Sequence, residues 1–123
     1  ATLLYAGQEF ENKYQPSLFF FFDISIQTGH DLSGFMRRLY NIKKQVLPID
    51  SDFEAVADEE NGVVVATRVS GHHKLTGVFT LEGKETVVNV PLEDGEYINL
   101  IGREKVVVCD GKLTIKDMPM ILV

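Results

Sequence analysis

The sequence predicts a mainly β protein: a small antiparallel β-sandwich over residues 50–123, preceded by a strand, a long loop and a helix over residues 1–49. Three observations carry this reading. After Asp50, short apolar runs are separated by Asn-Gly, Asp-Gly and similar turn pairs. Between Leu32 and Val46, apolar residues recur at helical spacing. At the chain start, the apolar run Leu3-Leu4-Tyr5-Ala6 stops at Gly7, as a strand buried on both faces of a parallel sheet would.

In chain order, the first strand leads into Gly7-Gln8-Glu9 and then a loop holding Tyr14, Pro16 and the four phenylalanines Phe19–Phe22. Asp31 is placed to cap the helix that follows. Leu32, Phe35, Met36, Leu39, Ile42 and Val46 form its apolar stripe. Lys43 and Lys44 fall in its last turns, where cations suit the helix dipole. Pro48 ends it. Strands are then expected at Phe53–Ala57, Val63–Val69, His73–Leu81, Thr86–Val90, Tyr97–Ile101, Val106–Cys109, Leu113–Ile115 and Met120–Val123. Asp110-Gly111 should form a type I′ turn joining two of them as a hairpin. Phe79 alternates with Leu75 and Leu81 and is expected in the core, and the alternating apolar residues Val63, Val65 and Val69 fit a structural role with no exposed site.

Composition narrows the function. Hydrophobic residues make up 45% and charged residues 24%, which is globular rather than disordered. A net charge of -6 argues against nucleic acid, which needs a basic surface. The longest strongly apolar run, Leu18 to Phe22, is too short to span a bilayer, so no membrane partner is expected. Cys109 is the single cysteine, which rules out an internal disulfide and fits a reducing, cytoplasmic compartment. It is expected to be a buried, inert thiol. No secretory signal pattern opens the sequence.

The segment Leu3-Leu4-Tyr5-Ala6-Gly7-Gln8-Glu9 resembles the eighth barrel strand of the α-amylase family of glycoside hydrolases, which often ends in Tyr-x-Gly-Gln-Glu. In that family the eighth strand and helix close a (β/α)8 barrel, and a β-sandwich domain follows. The resemblance therefore implies a fold class that is mainly β, with a small antiparallel β-sandwich preceded by the last strand-loop-helix unit of a (β/α)8 barrel. Residues 1–49 would be that last unit and residues 50–123 the C-terminal sandwich. It further implies a C-terminal fragment or subunit of an enzyme that cleaves α-glucosidic bonds in starch-like glucans with retention. The partners would be the N-terminal barrel portion of the same enzyme and its α-glucan substrate. A physical argument agrees, since one strand and one helix cannot cover each other's apolar faces and also satisfy both strand edges.

Retaining glycosidases need two carboxylates about 5 Å apart. By resemblance, the family's catalytic carboxylates follow earlier barrel strands, so no catalytic residue is expected here and the chain alone should be inactive. Gly7, Gln8, Glu9 and Glu11 are the candidate residues of a substrate-cleft loop. Glu9 is expected to order that loop by bonding backbone amides.

No cofactor is expected in this chain, although the resemblance makes calcium possible in the complete enzyme. Asp50-Ser51-Asp52-Phe53-Glu54 opens like a calcium loop, but Ala55 and Asn61 stand where an EF-hand needs glycine and glutamate. These acids read instead as a solvated strand edge. His72 and His73 are adjacent and could not chelate one ion from a strand. Asp58-Glu59-Glu60 reads as a solvated turn. An independent glycan-binding or purely structural module is the alternative function. The absence of tryptophan weighs against a sugar-stacking platform, and a structural role is preferred for residues 50–123.

Overall fold

The computed structural model describes residues 6–14, 17, 19–20, 28–46 and 50–123, without the side chains of Gln45 and Val46. The expected first strand before Ala6 and the helix stop at Pro48 lie outside this set, as do residues 47–49 at the expected domain boundary. The chain divides into two compact units, Ala1–Asn41 and Ile42–Val123.

The first unit opens with a 3-10 turn, Gln8–Phe10, and leads into helix α1, Ser33–Val46. The helix begins where its first free amide finds an acceptor: Ser33 N–H donates to Asp31 Oδ1 at 2.8 Å. Asp31 stands one residue before the strict cap position, because Leu32 C=O already accepts from Met36 N–H at 2.9 Å. Hydrogen bonds from the Ser33 side chain and backbone, with Arg37 nearby, lower the Asp31 pKa. Along α1, Phe35, Met36 and Leu39 are half-buried, while Arg37, Arg38 and Lys44 are exposed. This is the division the apolar spacing predicts.

The second unit contains eight strands: β1 Asp52–Asp58, β2 Val63–Ser70, β3 His73–Thr80, β4 Thr86–Asn89, β5 Gly95–Ile98, β6 Lys105–Val108, β7 Lys112–Ile115 and β8 Met120–Leu122. They form a four-stranded sheet in the order β1-β2-β3-β8 and two ribbons, β4-β7 and β5-β6. Every pairing is antiparallel. Val63, Val78 and Leu122 of the sheet meet Val88, Val108, Leu113 and Ile115 of the ribbons in one core. Val65 packs against it, as alternation in β2 predicts. Leu113, Ile115 and Leu122 are at most 1% exposed. Each contributes roughly 1.5–3 kcal/mol by leaving water.

The turns follow local chemistry. Gly62 takes a φ of 60° between β1 and β2, and Gly71 a φ of 59° between β2 and β3. The Asp58 carboxylate accepts from Asn61 N–H at 3.1 Å and from Asn61 Nδ2 at 2.7 Å, and these bonds lower its pKa. The acids of β1 lie on the edge strand, where Asp52 and Glu54 are exposed. Charge at an edge blunts unwanted strand pairing.

Three expectations need correction. Cys109 is exposed, because Val106 and Val108 turn towards the core and the alternation carries Cys109 out with Val107. Phe79 is not in the core. It lies on the opposite sheet face, half-buried, where its ring occupies the space a Cβ on Gly77 would need, 2.7 Å from that position. On β3 the larger apolar residues Leu75 and Phe79 turn outward, and the core takes the face of Val78, which pairs with Val65 of β2. Finally, Asp110 and Gly111 do take the φ values of 52° and 67° that a type I′ turn needs. The hairpin, however, holds by a single bridge, Cys109 to Lys112. Beyond it, β6 pairs with β5 and β7 with β4.

Candidate functional site

The four candidate loop residues form one tight turn. Gly7 has φ 96°, a left-handed conformation that favours glycine, and is buried. Its carbonyl accepts from Phe10 N–H at 3.1 Å and Asn12 N–H at 3.0 Å. The Glu9 carboxylate accepts from Gly7 N–H at 2.9 Å. Its backbone carbonyl accepts from Leu32 N–H at 2.7 Å, just before α1. The Thr28 hydroxyl donates to the Phe10 carbonyl. Residues 7–12 and 28–32 are thus held together through backbone groups, with Glu9 as an internal brace.

The outward-facing groups differ. Gln8 and Glu11 are exposed, and Glu11 Oε2 lies 3.4 Å from His30 Nδ1. Further along, Ser17 Oγ accepts from Phe19 N–H at 3.2 Å and Phe20 N–H at 3.1 Å, while both rings are exposed. The turn can present an amide, a carboxylate and an imidazole to a polar ligand. The Glu9 carboxylate is turned onto the backbone of its own turn, while that of Glu11 points towards His30.

The second unit brings together a cluster that sequence spacing did not reveal. Ligand atoms of Asp94, Cys109 and Asp110 lie within 4.8 Å of one another. Asp94 Oδ2 accepts from Asp110 N–H at 2.8 Å and Oδ1 from Gly111 N–H at 2.9 Å, and these bonds lower its pKa. The cluster does not fit the calcium considered for the complete enzyme. Calcium seeks about six to eight oxygen ligands, whereas here a thiol stands among two carboxylates and one of those already holds two amides. The carboxylate spacing approaches that of a retaining glycosidase. Yet all three residues are exposed, and neither cleft described below includes them.

Two clefts open on the second unit. A cavity of about 620 Å³ lies where β6 and β7 part, lined by Ile101, Val106, Val107, Leu113, Met118 and other residues. Another of about 330 Å³ lies between β1 and β4, with Val56, Val65, Val88 and Val90 below Glu54 and Asp58. Both linings are largely apolar. His72 falls in the β2–β3 turn and His73 at the start of β3, both exposed.

Asn99 is the functional group that sequence reading missed. It is 1% exposed and makes four side-chain hydrogen bonds. Its Oδ1 accepts from Ile101 N–H and Ile121 N–H, each at 3.0 Å. Its Nδ2 donates to Glu104 Oε1 at 2.7 Å and to the Pro119 carbonyl at 3.3 Å. The one local signal is an amide flanked by Ile98 and Leu100 in an apolar run.

Residues 54–122 match the family model of the bacterial alpha-amylase C-terminal domain. The chain belongs to that family, and the resemblance to the C-terminal part of an α-amylase-family glycoside hydrolase is borne out. A crystal structure of an alpha-amylase from Lactobacillus plantarum is similar over 97% of this chain, with 32% sequence identity and a TM-score of 0.76. The chain covers 28% of that structure. An Anoxybacillus alpha-amylase structure shares the fold at 20% identity, with a TM-score of 0.61 over 80% of this chain and 23% of its own. No curated protein sequence matches the chain.

Proposed function

We propose that the chain is the barrel-completing and stabilising part of an enzyme that cleaves α-glucosidic bonds in starch-like glucans with retention. Membership of the alpha-amylase C-terminal domain family carries this reading. Residues 1–49 close the barrel with its last strand and helix, and residues 50–123 form the C-terminal domain. The catalytic carboxylates come from the barrel portion. This chain supplies no nucleophile or acid, and by itself it is inactive.

Its own contribution is positional. The turn at Gly7 to Glu11 fixes the loop by backbone bonds, with Glu9 as the brace. In the completed barrel, the exposed Gln8 and Glu11 would line the substrate cleft and meet sugar hydroxyls. Hydroxyl-rich substrates suit such side chains, since amides and carboxylates offer several hydrogen-bonding positions at once. The sandwich needs no exposed aromatic platform for this role, and Tyr97 spends its hydroxyl on the Glu93 carbonyl at 2.8 Å.

The test is hydrolysis of a soluble α-glucan by the complete enzyme, followed by NMR at the newly formed anomeric centre. The reading predicts α-anomer as first product. First-formed β-anomer, or no cleavage of the glucan, would contradict it.

A further inference from the structure

We propose that the smaller cleft of the second unit binds a small organic cation, a guanidinium or ammonium group carried on a short apolar stem. The inference is independent of the function proposed above.

Alternation along the edge strand shapes the cleft. Glu54, Val56 and Asp58 fall on the same face of β1 and form one wall. Val65 and Thr67 of β2 and Val88 of β4 continue the lining. Glu54 pairs in register with Thr67, so carboxylate and hydroxyl stand side by side. Neither side chain makes a hydrogen bond or ion pair among the described residues. Thr67 is only 8% exposed, and a hydroxyl so nearly buried ordinarily has a partner. Since Thr67 lines the cleft, a bound molecule there supplies that partner.

Charge selects the sign of the ligand. The Asp58 carboxylate, whose pKa is lowered by its bonds to Asn61, adds a second negative charge beyond Val56. No lysine, arginine or histidine lines the cleft. Lys74 stays outside the lining and donates to the Pro91 carbonyl at 2.8 Å, which pins that wall. Two carboxylates on low-dielectric walls draw in a cation. The apolar surface of Val56, Val65 and Val88 suits its hydrocarbon stem. A guanidinium fits the polar end best, because it presents several N–H donors in one plane and is less strongly hydrated than an ammonium. It can donate to Glu54 and Thr67 together, and the bond to the carboxylate is charge-assisted. A sugar fits less well, since no aromatic ring lines the cleft for it to stack on. The volume of about 330 Å³ is that of a small-ligand site.

The experiment titrates n-butylguanidinium into the full-length enzyme with isotope-labelled valine methyls, followed by NMR. Signals of Val65 and Val88 should shift and saturate, with a midpoint of about 1 mM for a ligand of this size. Glu54→Gln keeps the side-chain shape and should weaken binding about tenfold, and Thr67→Val about fivefold. Glu96→Gln removes the same charge on β5, outside the cleft, and should stay within about twofold of wild type. The neutral n-butylurea should bind at least about tenfold more weakly than n-butylguanidinium. Absence of saturable shifts would overturn the inference, as would unchanged binding by Glu54→Gln or Thr67→Val, or an equal loss in Glu96→Gln. Equal binding of the two probes would overturn it without recourse to any variant. Maltose saturating these methyls where n-butylguanidinium does not would overturn it by naming a sugar as the ligand.

Discussion

Replacing Asn99 with alanine tests how the second unit is held together. The side chain is buried and joins the loop after β5 to the start of β8, using both of its polar atoms twice. Alanine removes all four bonds. A net hydrogen bond contributes about 0.5–1.5 kcal/mol, and each buried group left unsatisfied costs about 1–3 kcal/mol. Four bonds lost from a buried side chain, at about 1 kcal/mol net each, put the loss at roughly 3–5 kcal/mol. A domain of this size has a total stability of about 5–15 kcal/mol, so the variant should be marginal. Its thermal midpoint should fall by at least about 12 °C, at roughly 4–8 °C per kcal/mol. Asn99→Asp separates the two halves of the network. It keeps an acceptor for the two amides but loses both donors and sets a carboxylate beside Glu104. Its deficit reports the loss of the two donor bonds together with the repulsion between the two carboxylates. Urea unfolding of the wild type and both variants at neutral pH measures these differences. A loss below about 1 kcal/mol for Asn99→Ala would refute the reasoning, since it would mean that the four bonds add little net stability.

Three further outcomes are expected. Thr76 is fully buried, and its hydroxyl has no hydrogen-bond partner among the described residues, so Thr76→Val should stabilise by about 1 kcal/mol in urea unfolding. Asp94 has a folded pKa below its ordinary value of 3.8, so its contribution is present above that pH and lost as pH falls through the folded value. Asp94→Asn should accordingly be less stable than wild type at pH 7, with the gap closing below about pH 4 in a melting series. Gly7→Ala forces a side chain onto a left-handed backbone at a cost of about 1–2 kcal/mol. Amide exchange at Phe10 and Asn12, whose N–H groups bond Gly7, should accelerate.

What was legible in the sequence was local. The helix at Ser33–Val46 follows from its apolar spacing, and the eight strands follow from runs bounded by turn pairs. The conformation of Asp110-Gly111 follows from the residues themselves. Glu9 bonding a nearby amide is equally local. The partners of that turn could not be read, because Asp94 reaches it from 16 and 17 positions away. Asn99 is similar, since its tie to Ile121 spans 22 positions. Phe79 was misplaced for another reason. Strand β3 carries Leu75 and Phe79 on one face, yet its pairing with β2 sets Val78 beside Val65 on the core side, so alternation within β3 alone points to the wrong face. Cys109 was misread from its apolar neighbours, although its odd place in the alternation of Val106 and Val108 pointed outward.

The central claim is that this chain completes a glycosidase and does no chemistry by itself. Hydrolysis of a soluble α-glucan should be measured with the chain alone, with the N-terminal barrel portion alone, and with the two mixed. The account predicts activity that appears in the mixture and is absent from the chain alone. Cleavage by the chain alone would contradict it directly, because the catalytic carboxylates would then lie within these 123 residues.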